Sequence, residues 1–131
     1  MLAEGIKGTQ KVVVTTELTA EKMGSGLLPV YATPCMIALI EGTACDSVAD
    51  RLEEGQATVG THLDIEHLAA TPIGMTVTCT TELVEVDRKK LVFDVAVYDE
   101  TGLVGRGRHE RFIIDSARFM QKALEKLTDR S

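Results

Sequence analysis

Hydrophobic and polar residues alternate along the second half of the chain, and this pattern predicts a series of β-strands. Four strands are predicted, at residues 56–69, 74–86, 90–99 and 103–114. The connections DRKK and DETG between the later strands are short and charged or contain glycine, as antiparallel hairpins require. The apolar parity changes within the second of these strands, which predicts a β-bulge or a strong twist near Thr81.

The first half of the chain begins with one strand and continues with an irregular segment. A run of valines predicts the strand over residues 8–17. Residues 18–32 are interrupted by Gly24, Gly26 and Pro29 and keep no steady period. We therefore predict a loop or a short helical turn there, in a position to cover a pocket.

A long helix follows this segment. Thr33 is the predicted N-cap, and Pro34 fits the first helical position, where its missing N–H costs nothing. The helix should extend to Glu53 or Glu54, with Gly55 as the stop signal. Its apolar stripe consists of Met36, Ile37, Leu39, Ile40, Ala44, Cys45 and Val48.

The chain ends in a second amphipathic helix, DSARFMQKALEKLTD, which Asp115 or Ser116 should cap. One strand, a buried helix and four further strands make an α+β plan. In this plan a curved antiparallel five-stranded sheet wraps around the long central helix. That order of elements is the hot-dog arrangement.

Length, composition and charge narrow the class of protein. The 131 residues suit one domain, and 44% hydrophobic with 26% charged residues is a globular composition. No apolar run is long enough to span a membrane and no secretory signal is visible, so we expect a cytoplasmic protein without a membrane partner. Cys35, Cys45 and Cys79 lack the spacing of metal ligands, so no metal is expected. The net charge of −6 argues against a nucleic-acid partner.

One carboxylate interrupts the apolar stripe of the long helix. Glu41 lies four residues after Ile37 and four before Cys45, so it should face the sheet. An unpaired carboxylate in such a place is costly, and Glu41 should have a partner or take up a proton. Two alternatives stay open: the side chain could reach solvent from the edge of the stripe, or it could pair across a subunit interface.

Strand parity separates the three histidines. His67 shares a strand face with Leu63 and Ile65, so it should point toward the helix that carries Glu41. His62 falls on the opposite, polar face and should be solvated, whereas His109 is expected to be a structural residue. An inward histidine together with an inward carboxylate is typical of sites that divide acid and base roles.

Thr33 adds a third element to this candidate site. The start of a helix offers free N–H groups and the positive end of the helix dipole, which suit a substrate carbonyl or oxyanion. Capping alone would also explain a threonine there. Eight helical residues rise about 12 Å, so Thr33 and Glu41 of one chain cannot contact the same reacting atom. If both act on one substrate, the site is built from two subunits.

Three segments carry a resemblance to a known family. They are ATPCMIALIEGTA (32–44), VGTHLDIEHLAATPIGMTVT (59–78) and GRGRHERFIID (105–115). Together they resemble the hot-dog thioesterases related to fluoroacetyl-CoA thioesterase, over about residues 10 to 125 of this chain. The most specific part is a threonine, a glutamate eight residues later and a histidine twenty-six beyond that, followed by an Ala-Ala-Thr-Pro-x-Gly turn.

The resemblance implies roles for several residues. It implies that Thr33, Glu41 and His67 form the catalytic set and that the Gly60 backbone helps to position the acyl group. It also implies that Arg111 lies near the site. Pro34 and Cys35, which follow Thr33, are further candidate substrate-binding residues. The family's homodimer is implied as well, with the long helices side by side, and a dimer of dimers stays open.

The implied activity is hydrolysis of a short-chain acyl-CoA thioester, with coenzyme A entering only as part of the substrate. Glu41 would act as a nucleophile or as a general base on water. The segment LTAEKMGSGLLPVY resembles the family least, because it lacks the phenylalanines of the fluoroacetyl enzyme's lid, so a broader range of short acyl groups stays open. Arg88–Lys90 or the arginines at 106–111 are candidates for holding the CoA phosphates, although charged runs are usually solvated surface.

Two rival functions follow from the same residues. Hot-dog proteins also dehydrate hydroxyacyl thioesters with an acidic residue and a histidine, although an Asp-x-x-x-x-His pairing in a matching context is missing from this sequence. A non-catalytic acyl-CoA binding or sensing protein would keep the pocket and place little demand on Glu41 and His67.

Overall fold

The helices and strands of the computed structural model, which describes residues 2–130, follow the predicted order. They are β1 (Lys7–Val13), α1 (Ala20–Met23), α2 (Thr33–Val48), β2 (Gln56–His67), β3 (Thr76–Asp87), β4 (Lys90–Asp99), β5 (Gly102–Asp115) and α3 (Ser116–Asp129). Short 3-10 turns lie at Thr16–Leu18 and Ala49–Arg51. Among residues 2–130, no helix combines the length and apolar composition that a membrane span requires.

The five strands form one antiparallel sheet with the order β1-β3-β4-β5-β2. The β3–β4 and β4–β5 connections are tight hairpins, as the alternation and the short charged turns predicted. β2 and β1 are the two edges of this sheet. One side of β2, a strand of twelve residues, therefore has no strand partner among residues 2–130.

The sheet packs against one face of α2. That face carries Met36, Ile40, Ala44 and Val48, all fully buried. They meet apolar residues of the central strands such as Phe93. Removing a large apolar side chain from water contributes roughly 1.5–3 kcal/mol, so this layer of contacts fixes how α2 lies in the curve of the sheet.

Several predicted boundaries were wrong, and each has a local cause. β1 ends at Val13 rather than at 17, because residues 16–18 turn into a 3-10 helix. α2 ends at Val48 rather than near Glu54, because the 3-10 turn Ala49–Arg51 follows and Leu52 is extended. The apolar pattern did not reveal this end, since Leu52 also packs against the core.

The ends of both helices bear on the capping predictions. Ala32 is the N-cap of α2, so Thr33 is the first helical residue, and its side chain makes no cap hydrogen bond. The Thr33 capping prediction was therefore wrong. Asp115 does cap α3, because its carboxylate accepts the Arg118 N–H at 3.0 Å. The bulge predicted near Thr81 is found slightly later, where the β3–β4 register shifts between Leu83 and Glu85.

Candidate active site

Thr33 and His67 meet at one end of the sheet. Thr33 opens α2 and His67 ends β2. The Thr33 hydroxyl and His67 Nδ1 are 2.8 Å apart, a hydrogen-bond distance. His67 therefore reaches α2, as strand parity predicted, and it contacts the helix at its first residue.

The other ring nitrogen of His67 is free to act on a ligand. Nε2 is buried, and no residue in the described range 2–130 hydrogen-bonds to it. Burial lowers the pKa of His67 below its ordinary value of 6.5, because the charged imidazolium loses hydration. A neutral imidazole with one unoccupied nitrogen can accept or donate a proton at a substrate.

A cleft of about 330 Å³ opens beside this pair. Thr33, His67 and Ala69 line it, together with residues of the 18–32 segment such as Val30 and Tyr31. That segment contains α1 and is tied back at its ends, since the Ala20 N–H donates to the Val30 carbonyl at 2.8 Å. It therefore lines part of this cleft, at the place where the sequence predicted a loop or short helical turn that could cover a pocket.

Glu41 belongs to a second cluster, halfway along α2. Its Oε2 lies 4.0 Å from Arg111 Nη1, and its side chain is 42% exposed in the single chain. Glu41 also lies directly against Gly60 of β2. A Cβ added to Gly60 would come within 2.6 Å of Glu41 Oε2, so the missing side chain is what leaves room for the carboxylate.

Arg111 is held rigidly in this cluster. Its Nε donates to the Thr58 hydroxyl and its Nη2 to the Thr58 carbonyl, both at 2.8 Å. Its Nη1 donates to His109 Nε2 at 3.1 Å. Only 5% of Arg111 is exposed. The guanidinium therefore presents a fixed positive charge to Glu41.

His109 completes the set of contacts that hold Arg111, which we call the clamp around Arg111. Its Nδ1 lies 2.9 Å from the His62 carbonyl, which can only accept, so the ring donates there. Nε2 then accepts from Arg111, and these two partners together select the neutral tautomer. Burial is the main cause that lowers the pKa of His109, and the charge of Arg111 acts in the same direction.

These contacts correct part of the sequence interpretation. Glu41 faces β2 and has Arg111 as its partner, and it lies at the exposed edge of the apolar stripe, which the sequence had left open as an alternative. Arg111 is buried and is not part of a solvated basic run. His109, expected to be only structural, orients that arginine. Sequence reasoning missed this role, although alternation along β5 does place His109, Arg111 and Ile113 on one face.

Pro34 and Cys35 lie next to Thr33 in the first turn of α2. Pro34 is exposed and Cys35 is half-buried against the core. Burial raises the pKa of the Cys35 thiol, so it stays protonated and is a poor nucleophile. Within residues 2–130, no three His, Cys, Asp or Glu side chains are grouped in a way that could hold a metal ion.

The two clusters are separate within one chain. Thr33 contacts His67, whereas Glu41 contacts Gly60 and Arg111. Gly60 and His67 are seven residues apart along an extended strand, which is roughly 23 Å. One chain therefore carries two partial sites.

Comparison with known proteins gives a consistent family. The model of the fluoroacetyl-CoA-specific thioesterase family matches residues 14–117. The fluoroacetyl-CoA thioesterase of Streptantibioticus cattleyicolor is 38% identical over 97 residues, which cover 74% of this chain and 70% of that enzyme.

Solved structures agree with this assignment. A Phe-to-Ala variant of the fluoroacetyl-CoA-specific thioesterase, solved with fluoroacetate and CoA, superimposes with a TM-score of 0.85 at 32% identity, covering 90% of this chain and 99% of that one. A thioesterase superfamily member from Thermus thermophilus gives a TM-score of 0.88 at 30% identity, covering 99% and 96%. The hot-dog prediction is confirmed, and the chain belongs to the family of fluoroacetyl-CoA-specific thioesterases.

Proposed function

We propose that this acyl-CoA thioesterase hydrolyses short-chain acyl-CoA thioesters at a site formed by Thr33, Glu41 and His67. The observation that carries this proposal is that one chain holds two half-sites. One is a hydroxyl and a neutral imidazole beside a cleft. The other is a carboxylate held by a buried arginine next to a glycine backbone.

A homodimer would unite these halves. Antiparallel pairing of β2 with the β2 of a second copy, with the two-fold axis at Asp64, would place Gly60 opposite the partner's His67, because Thr61 is the extra residue of a β-bulge. The same axis, passing beside Ile37, would place Glu41 near the partner's Thr33. One axis satisfies both conditions, because Thr33 already contacts His67 and Glu41 already contacts Gly60 within each chain.

The exposed surface supports this arrangement. Residues 60–64 of β2 are all exposed in the single chain, although they lie in the middle of a long strand. A long unpaired strand edge is a template for pairing with another chain. The exposed fraction of Glu41 would fall in the same dimer, because the partner's helix would lie over it.

The hydroxyl of Thr33 would bind the substrate carbonyl oxygen. For the hydroxyl to donate to the substrate, it must accept from His67, so the ring proton lies on Nδ1 and Nε2 carries a lone pair. Donors aimed at the developing oxyanion lower the barrier of acyl transfer. Nε2 would then be available to take a proton from water.

Glu41 would act in one of two balanced ways. As a nucleophile, its carboxylate oxygen attacks the thioester carbon, the C–S bond breaks, CoA leaves as a thiolate that takes up a proton, and water then hydrolyses the acyl-glutamyl anhydride. As a base, Glu41 removes a proton from water, which attacks directly. Both routes yield the free acid and the CoA thiol. Gly60 and Arg111 would position the reacting groups.

The test is thiol release from acetyl-, propionyl-, butyryl-, hexanoyl- and fluoroacetyl-CoA. We compare wild type with Glu41→Gln, which keeps the size of the side chain and removes its charge. Release by wild type that is lost in a folded Glu41→Gln variant supports the proposal and identifies the preferred acyl groups. Tight binding of acyl-CoA without release from any thioester would instead identify a binding protein.

A further inference from the structure

A basic groove lies between α3 and the β3–β4 hairpin, outside the catalytic clusters. Its volume is about 480 Å³. Ile113 and Phe119 contribute apolar surface to it. The cations around it are Lys89, Arg118, Lys122 and Lys126. Three of them lie four residues apart on α3, so they form one stripe along the helix, about 12 Å long.

These four cations are not neutralised by the protein. Within residues 2–130, none of them forms an ion pair with a carboxylate. The groove does contain one carboxylate, Asp115, but that group accepts the Arg118 N–H as the cap of α3. In a chain with a net charge of −6, such a concentration of unpaired positive charge is local and specific.

Three basic residues of β4 and β5 are already paired with carboxylates. Arg106 pairs with Glu66 at 3.3 Å and Arg108 pairs with Asp94 at 2.9 Å. Lys90 lies 3.7 Å from Glu110. The sequence suggested Arg88–Lys90 and the arginines at 106–111 as candidates for holding the CoA phosphates, and of these only Lys89 lines the groove. The sequence analysis did not identify the three cations of α3.

The groove begins where the Glu41 half-site ends. Ile113 follows Arg111 by two residues on the same face of β5, a distance of about 7 Å. A substrate whose thioester lies at Glu41 could extend past Arg111 into the groove. The exposed ring of Phe119 offers a surface on which a purine can stack.

From this geometry we infer that the α3 groove binds the nucleotide end of coenzyme A. The phosphates contact Lys122, Lys126 and their neighbours, and the adenine covers Phe119. This inference rests on the proposed function, because acyl-CoA is the substrate of the adjoining site. It adds a binding subsite at a defined place outside the catalytic clusters.

The test compares two substrates with the same acyl group. Acyl-CoA carries the nucleotide, whereas the acyl thioester of N-acetylcysteamine lacks it. In Lys122→Glu/Lys126→Glu at low salt, we expect the KM for acyl-CoA to rise about tenfold or more. We expect kcat, and all constants for the short thioester, to stay at wild-type values. For wild type, added salt should raise the KM of acyl-CoA only.

The matched control is Lys7→Glu/Lys11→Glu, which makes the same change of charge on β1, at the opposite edge of the sheet. An equal effect of both double variants on the KM for acyl-CoA would overturn the inference, and so would no effect of either. A changed assembly mass with an unchanged KM would also overturn it and would identify a self-association surface. If wild type hydrolyses neither thioester, the proposed function fails. Calorimetry with free CoA then tests the groove by itself: weaker binding by Lys122→Glu/Lys126→Glu than by the control variant supports the inference, and equal binding overturns it.

Discussion

At the scale of single residues, the hydrogen bond between Thr33 and His67 sets the chemistry of the cleft. The hydroxyl fixes the orientation of the imidazole and, in the proposed mechanism, donates to the substrate carbonyl. Thr33 is exposed in the single chain, so its side chain contributes little to the core. Its substitution should therefore separate activity from stability.

We predict that Thr33→Val lowers kcat/KM about a hundredfold, the usual effect of losing one donor to an oxyanion. Valine keeps the shape of threonine and removes only the hydroxyl. Thr33→Ser restores the hydroxyl and should retain most of the activity, and thermal unfolding should be similar for all three proteins. Equal activity of the valine and serine variants would show that the hydroxyl has no role.

The half-buried His67 and the buried His109 also predict how stability depends on pH. Burial lowers the pKa of both His67 and His109 below 6.5 in the folded protein. As the pH falls through 6.5, the unfolded chain therefore binds protons that the folded protein does not bind. The free energy of unfolding should be highest above pH 6.5. It should decrease as the pH falls from 6.5 to the lowered folded-state pKa of each histidine. The decrease is about 1.4 kcal/mol for each unit by which the folded-state pKa lies below the unfolded-state pKa.

Urea denaturation at pH 7.5, 6.5 and 5.5 measures this dependence. The variant His62→Asn is the control, because His62 is exposed and should leave the pH dependence unchanged. Titration of the imidazole signals by NMR assigns the effect to particular rings. Constant stability from pH 7.5 to 5.5 would contradict the burial argument.

At the scale of elements, the cover that we propose for α1 and its flanking loop would influence which acyl groups fit. Leu27 and Leu28 lie between two residues that line the cleft, Ser25 and Val30. Their exposed fractions are 89% and 64%. Apolar side chains so close to a binding cleft can gain contacts when an acyl chain enters.

We predict that Leu27→Ser/Leu28→Ser raises the KM for hexanoyl-CoA about tenfold and that for acetyl-CoA much less. A longer chain offers more apolar surface to cover, and fully burying one leucine contributes roughly 1.5–3 kcal/mol. Met23→Ser is the control, since Met23 is also exposed but lies outside the stretch 25–30, whose two end residues line the cleft. Stability should change little, and an equal effect on both substrates would contradict this role of the cover.

The elements were predictable where local periodicity determines them. Along β4, buried apolar residues occupy every second position; they are Leu91, Phe93, Val95 and Val97. This strand was predicted with its observed ends. The end of α2 was not predictable, because the apolar pattern continues through Leu52 into a 3-10 turn.

The candidate site was predictable only in part. Glu41 and His67 could be selected because polar residues at apolar positions are visible in one sequence, and Thr33 because it begins the long helix. The clamp around Arg111 depends on Thr58, 53 residues away, and on Glu41 on another element. In the sequence, a buried arginine cannot be distinguished from an arginine on the surface until the sheet register is known. The roles of Arg111 and His109 therefore became visible only from tertiary contacts.

At the scale of the whole molecule, the separation of the two clusters is the most informative feature. Each chain provides Thr33 with His67 at one place and Glu41 with Gly60 at another. In the proposed dimer, each site takes its hydroxyl and imidazole from one subunit and its carboxylate from the other. A monomer would then be inactive even when fully folded.

Mixed dimers test this directly. Glu41→Gln and His67→Ala homodimers should each be inactive. After co-refolding at equal concentrations, about half of the dimers are mixed and one of their two sites is intact, so about a quarter of wild-type activity should return. Thr33→Val mixed with His67→Ala is the control, because both residues belong to the same half-site and every site in the mixed dimer stays defective. Recovery in neither mixture would show that each active site is contained in one chain, because a site within one chain cannot be repaired by its partner.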